Sequence, residues 1–284
     1  MDAMRGRRTL SLPPREVVAR VGRIVPLAIA GLLALFLALE LVAARSWILS
    51  GAQGFDFAMY MEATRRWLGG GSFYAPYQLV APYMIEDGAI LYPPTALALF
   101  VPFTVLPAIL WWAIPLGITC WVIGWHLPSR WGWVAILALV VLPAPFVWHF
   151  SYALQLIVIG NPGMWILASI AAGTRWGWPA AFVVLKPSLM PFAALGIRTR
   201  RWWLIAAIFA ALSVALLPLW GQYVTVILNA RGPRASLLYS QTDVPLMLIP
   251  LVAWLGGRHR PGGDGGPVAI RQHERRPAAD RRLG

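Results

Sequence analysis

Apolar runs about twenty residues long limit the folds open to this chain more than any other feature. A helix rises about 1.5 Å per residue, so about 20 apolar residues cross the roughly 30 Å of bilayer hydrocarbon. Residues 24–44 form such a run, with Glu40 near its outer end as the only charge. The stretch 94–126 is long enough for a tight helical hairpin turning near Leu106 and Pro107, and further runs cover 133–150, 162–173, 178–197, 202–219 and 236–255. With the hairpin counted twice, the pattern predicts an all-α, polytopic integral membrane protein with about eight transmembrane helices. The run 162–173 is short and reads as a half-span paired with 148–160.

Composition excludes the main alternatives. Of 284 residues 59% are hydrophobic and 12% charged, against about 25% charged in a soluble domain. Cys120 is the single cysteine, which rules out an intrachain disulfide and a cysteine-based metal site. His126, His149, His259 and His273 show no i, i+4 pair, so no metal site is expected. The net charge of +13 would suggest nucleic acid if it lay on a groove-reading module. Most of it, +11, lies instead in residues 1–23 (+4), in the loop 198–201 (+3) and in 258–284 (+4), each beside an apolar run.

That placement is an orientation code, because basic residues mark cytoplasmic ends. The chain therefore divides into a basic cytoplasmic N-terminus (1–23), a membrane domain (24–256) and a basic cytoplasmic tail (257–284). Gly and Pro clusters among the arginines predict a disordered tail. Residues 45–92 carry a net −1 and are expected as an extracytoplasmic loop. The long basic segment before 24–44 favours an uncleaved anchor over a signal peptide. Trp47, Trp67, Trp111, Trp112, Trp131, Trp176, Trp202 and Trp203 fall near predicted span ends, where indole favours the headgroup layer. Membrane lipids are thus expected partners and nucleic acid is not. No internal repeat of the transporter kind is present.

Within the outer loop, residues 54–68 read as an amphipathic helix, with Phe57, Tyr60, Met61, Thr64 and Leu68 as its stripe. Gly69, Gly70 and Gly71 end it. Trp and aromatics on one side and Arg65 and Arg66 on the other predict a helix lying in the membrane interface. Asp56 opens this helix. It has two readings: an N-cap accepting orphan N–H groups, or a general base toward a hydroxyl at the membrane surface.

Lys186 is the only lysine among 24 basic residues and falls inside the run 178–197. A cation at that depth calls for an anionic partner or a watery cavity, and intramembrane charges mark functional sites. The following Pro187 frees a carbonyl and favours a kink; the alternative is an ammonium snorkelling to headgroups. Gly160, Asn161 and Pro162 read as a helix start, and Tyr92, Pro93 and Pro94 as an interfacial tyrosine followed by a proline pair that opens a helix. His149 gains interest if it faces Lys186. Arg231, Arg234 and Asp243 flank the last outer loop and are expected to be solvated.

The ordered set says more than any single motif. A basic N-terminus and one span lead to Gly54-Phe55-Asp56-Phe57-Ala58-Met59-Tyr60, then Ala63, Arg65 and a Gly-rich stop with Tyr74. Tyr92-Pro93-Pro94-Thr95-Ala96-Leu97, Val101-Pro102, Leu106-Pro107, Gly160-Asn161 and Leu185-Lys186-Pro187 follow, before an Arg-Arg-Trp turn. Over residues 24–220 this resembles glycosyltransferase family 87, the polyprenyl-phosphate-mannose-dependent mannosyltransferases of the GT-C superfamily. Members are longer, and carry Gln where this chain has Asn161.

The resemblance implies a GT-C-like fold and a cell-membrane hexosyltransferase, with mannose as the sugar. It implies transfer with inversion from a polyprenyl-phosphate-linked sugar to an extracytoplasmic glycan or glycolipid acceptor in the cell envelope, with no cofactor or metal. It makes Asp56 the general base and Lys186 a contact of the donor phosphate. Arg65, Arg66, Tyr60, Tyr92, Asn161 and His149 are further candidates for substrate or donor-phosphate binding. The competing expectation is a non-catalytic protein that binds or translocates polyprenyl lipid, or an envelope-assembly scaffold.

Overall fold

The computed structural model describes residues 15–47, 49, 51, 53–85, 88–141, 151–232 and 243–258. Residues 1–14 and 259–284, which hold most of the basic N-terminus and tail, lie outside them, as does His149.

Helix α1 (Arg15–Trp47) contains the most apolar stretch, 23 residues from Arg20 to Val42. Leu27, Leu32, Leu35, Leu39 and Val42 stay exposed along it, as expected of a helix whose apolar surface meets lipid instead of a protein core. Glu40, near the end of the run, is buried, because it lies on the side of α1 that packs against protein.

Of the outer loop, α2 (Phe55–Leu68) is the principal helix, followed by α3 (Pro76–Val80) and a two-residue strand β1 (Tyr83–Met84). A 3-10 turn (Pro94–Ala96) leads into α4 (Leu97–Phe103), and after a turn α5 (Ile109–His126) runs for 18 residues. The prolines at 93 and 94 open the helix as expected. The hairpin turn falls at 104–108 as expected, but its first arm is too short to span. Helix α6 (Arg130–Val141) follows.

The next apolar runs are broken. Helices α7 (Tyr152–Ile159) and α8 (Gly163–Trp176) meet at 112°. Helices α9 (Arg200–Ala215) and α10 (Leu217–Asn229) meet at 86°. Gly160 in a left-handed conformation and Pro162, which has no N–H, stop the first pair from continuing as one helix. Pro218 opens the second helix of the other pair. The expected half-span at 162–173 is thus one arm of a bent pair.

Between the pairs, residues 178–196 form two 3-10 segments, Trp178–Leu185 and Pro187–Gly196, which divide at Lys186. Pro179, Pro187 and Pro191 each remove a donor that an α-helix would need. Strand β2 (Ala230–Arg231), α11 (Val244–Met247) and α12 (Ile249–Arg258) complete the described chain.

The fold is all-α, and among the described residues two helices are long and apolar enough to cross a membrane, or up to four if each bent pair is one span. Eight helices of spanning length are not found among the described residues, where proline and glycine break the runs around 160 and 178–196 into shorter pieces, and parts of the runs 133–150 and 236–255 lie outside those residues.

Three apolar clusters hold the pieces together. One joins α2, α4, α5 and α10 around Tyr60, Phe73, Tyr74, Phe100 and Trp111. A second joins α8, both 3-10 segments and α9, and a third joins α5, α6, α7 and α12. Trp131, Trp176 and Trp203 are exposed, as interfacial residues should be, whereas Trp111 is fully buried at the centre of the first cluster. Its indole Nε1–H finds a protein acceptor there, which removes the pull toward the headgroups.

The outer loop is closed by polar contacts. Strands β1 and β2 pair in parallel, Tyr83 opposite Ala230 and Met84 opposite Arg231. The Gln78 amide donates to Tyr83 Oη (3.1 Å) and to the Ile90 carbonyl (3.2 Å), and its oxygen accepts from the Ile90 N–H (3.3 Å). Tyr83 donates to the Val226 carbonyl (3.2 Å), and Asn229 donates to the Gln78 carbonyl (3.0 Å).

Candidate functional site

Helix α2 begins where three elements meet. Gly54 holds the N-cap position at φ 71°, a conformation that favours glycine, and no side chain caps the helix. The Gly54 N–H donates to the Val158 carbonyl of α7 at 2.7 Å. The indoles of Trp111 and Trp112 donate to the Gly160 and Ile157 carbonyls at 2.8 and 2.7 Å. Gly160 sits at φ 73°, and a Cβ there would come within 2.8 Å of Trp112 Cζ2 and 3.0 Å of Phe57 Cβ. The bend between α7 and α8 is thereby bonded to α5 and to the start of α2 at once.

Asp56 stands in this junction, half-buried. Its Oδ2 accepts from the Asn161 amide Nδ2 at 2.6 Å, across 105 residues of chain. Asp56 is therefore not the helix cap, and the first of its two sequence readings is set aside. Asn161 does serve as the helix start expected of it, since its Oδ1 accepts from the Gly163 N–H at 2.8 Å. Alongside is an open cavity of about 270 Å³ lined by Gln53, Gly54, Trp112, Ile157 and Val158.

One turn beyond Asp56, Tyr60 stacks on Phe100 (4.8 Å between centroids) and meets Tyr92 edge-on at 5.4 Å. Tyr92 is buried, not interfacial, because this aromatic cluster covers it. The stripe on α2, expected on a helix lying in the membrane interface, is instead buried in protein at Tyr60, Met61 and Thr64, with Ala63 added, Phe57 half-buried and Leu68 exposed. Protein covers that face, so packing against α4 and α5 explains its apolar character. Nearby, burial pushes the hydroxyl of Tyr74 well above the usual tyrosine range near 10 and raises that of Tyr83. Tyr74 donates to the Tyr92 carbonyl at 3.0 Å.

The Tyr92 ring leads to the second charged centre, with its centroid 5.7 Å from Lys186 Nζ. Lys186 has the anionic partner that its depth requires: its ammonium pairs with Asp243 Oδ2, the side chains being 5% and 2% exposed. Tyr152 donates its hydroxyl to the other carboxylate oxygen. Snorkelling is thus set aside, and so is the expectation that Asp243 is solvated. A lone buried cation is costly, and a carboxylate with a hydroxyl donor offsets that cost.

Asp243 and Tyr152 were not legible as site residues, although a signal was present. Between Asp87 and Asp264 the sequence has one carboxylate, Asp243, so a buried Lys186 had one intrachain candidate on that stretch.

Arg65 and Arg66 are not brought to Asp56. Arg65 is exposed, and its Nη2 donates to the Thr104 carbonyl at 3.4 Å. Arg66 donates to the Ser72 and Phe73 carbonyls at 2.8 and 3.1 Å and so holds the turn after α2. Asp56, Asn161, Tyr60, Tyr92 and Lys186 therefore form a connected series across the fold, and the two arginines lie outside it. Compared with protein-family models, curated proteins and solved structures, this chain matches none.

Proposed function

We propose that this chain is a multi-pass membrane glycosyltransferase of GT-C-like architecture, with about eight crossings, several made by bent or broken helices. Its termini are cytoplasmic and the loop bearing α2 is extracytoplasmic. The donor is a polyprenyl-phosphate-linked hexose, mannose by the family resemblance, and the acceptor is a glycan or glycolipid of the envelope. Asp56 takes the proton of an acceptor hydroxyl as that oxygen attacks the anomeric carbon. The bond from that carbon to the phosphate oxygen breaks with inversion, and its electron pair leaves on the lipid phosphate.

The observation that supports this reading is the half-buried Asp56 carboxylate, held by the Asn161 amide, at the start of α2, where Gly54, two residues earlier, lines an open cavity. A general base needs reach and a set orientation, and the Asn161 amide supplies the orientation. The donor-phosphate role implied for Lys186 asks its ammonium to leave Asp243, and an ion pair this buried resists separation. We therefore assign the chemistry to Asp56 and the architecture to Lys186.

The test is Asp56→Asn in full-length chain, assayed with polyprenyl-phosphate-mannose and extracted envelope glycolipids. The expected result is loss of transfer with the melting temperature retained. Unchanged transfer in that variant removes Asp56 as the base, and a wild-type chain that transfers nothing returns the protein to the non-catalytic, lipid-binding class.

A further inference from the structure

We propose that Asn161 is the positioning residue of the Asp56 carboxylate, not a substrate contact; this rests on the reading of Asp56 as the base. Its amide is held at both ends. Oδ1 accepts from the Gly163 N–H at 2.8 Å, so the orientation of the amide is set by the backbone at the start of α8. The NH₂ group is thereby turned toward α2, where it donates to Asp56 Oδ2 at 2.6 Å. An amide flipped the other way would put an oxygen against the carboxylate and an NH₂ against the Gly163 N–H, two repulsive contacts in place of two bonds.

The frame behind Asn161 is equally constrained. Its neighbour Gly160 has no room for a side chain, and the Trp111 and Trp112 indoles hold the carbonyls on this turn. The Gly54 N–H joins the start of α2 to Val158 on the same turn. The bend between α7 and α8 and the first turn of α2 thus move together, and Asn161 passes that rigidity to the Asp56 side chain. With the carboxylate so held, the acceptor proton passes to Asp56. The acceptor oxygen then bonds to the anomeric carbon, the lipid phosphate departs with the electron pair of the broken bond, and Asp56 later releases its proton to water.

A helix-start role alone makes the opposite forecast for one substitution. Asp accepts from the Gly163 N–H as well as Asn does, and a negative charge suits a helix N-terminus. Under that role Asn161→Asp is harmless. Under the positioning role it replaces the donor with a like charge against Asp56. Full-length Asn161→Asp, assayed with polyprenyl-phosphate-mannose and extracted envelope glycolipids, should lose about 100-fold in kcat with KM for the donor little changed, as expected for a displaced catalytic group.

The swapped variant Asp56→Asn/Asn161→Asp separates catalysis from folding, because the amide at 56 donates to the carboxylate at 161. It should melt close to wild type and remain inactive. Inactive Asp56→Asn beside fully active Asn161→Asp overturns the positioning role alone. A swapped variant that melts no higher than Asn161→Asp also overturns it, since the pair is then not restored. Active Asp56→Asn, or a wild-type chain that transfers nothing, overturns the base reading and this proposal together.

Discussion

Two carboxylates meet the interior of this fold in different ways. Asp56 is half-buried and is held by a neutral amide beside a cavity. Asp243 is buried, its oxygens taken by an ammonium and a phenol. The first, two residues from a cavity-lining glycine, is held by an uncharged side chain. The second has its negative charge cancelled where no water reaches it. The contrast shows why burial alone is a poor guide to reactivity: the deeper carboxylate is the more fully neutralised one, and it joins the 3-10 break at Lys186 to α7 and α11.

The comparison can be broken by substitution. The largest effect on rate is expected at Asp56, where Asn should lower transfer by roughly 100- to 10,000-fold and leave the melting temperature in place. Lys186→Met should show the reverse pattern. It leaves Asp243 buried without a cation, at a cost of about 3–5 kcal/mol, and Lys186→Met/Asp243→Asn should recover much of that loss in thermal melts. Donor binding per folded molecule decides the matter: if it collapses in the double variant while stability returns, Lys186 belongs with the chemistry after all.

Tyr152→Phe should be milder, about 1.5–3 kcal/mol for a hydrogen bond to a charged group, with transfer per folded molecule unchanged. An equal loss of transfer would show the two centres to be coupled. The smallest effect concerns pH. Tyr74 and Tyr83 keep their protons in the folded state above the range in which unfolded tyrosine loses them, near 10. The unfolded chain then binds fewer protons than the native one, so stability falls as pH rises above about 10. Tyr74→Phe should flatten that slope in alkaline melts, and an unchanged slope would remove Tyr74 as its source.

Much of the fold could be read in advance because its signals are local. The first long helix, the amphipathic α2 with its glycine stop, and the proline-opened turn at 94 follow from residues within a few positions of each other. Asp56 and Lys186 were singled out for similarly local reasons, one opening a helix and the other a charge within an apolar run. Their partners were not visible, since Asn161 lies 105 residues from Asp56 and Asp243 57 from Lys186. Hydropathy also overstated the count of straight spans, because it registers apolar residues without the donors that Pro179, Pro187 and Pro191 lack. Trp111 shows the same limit, as its position near a helix end suggested a headgroup anchor while its indole points inward to Gly160.

The clasp between the outer loop and α10 carries a consequence for the order of assembly. Tyr83 donates to a carbonyl 143 residues further along the chain. At about 5–20 residues per second, a ribosome needs on the order of ten seconds to supply that partner. Gln78 and Tyr83 must therefore wait for α10 to be made, so the packing of residues 76–92 is completed only after most of the described chain has been synthesised. This unit leaves the ribosome early and matures late.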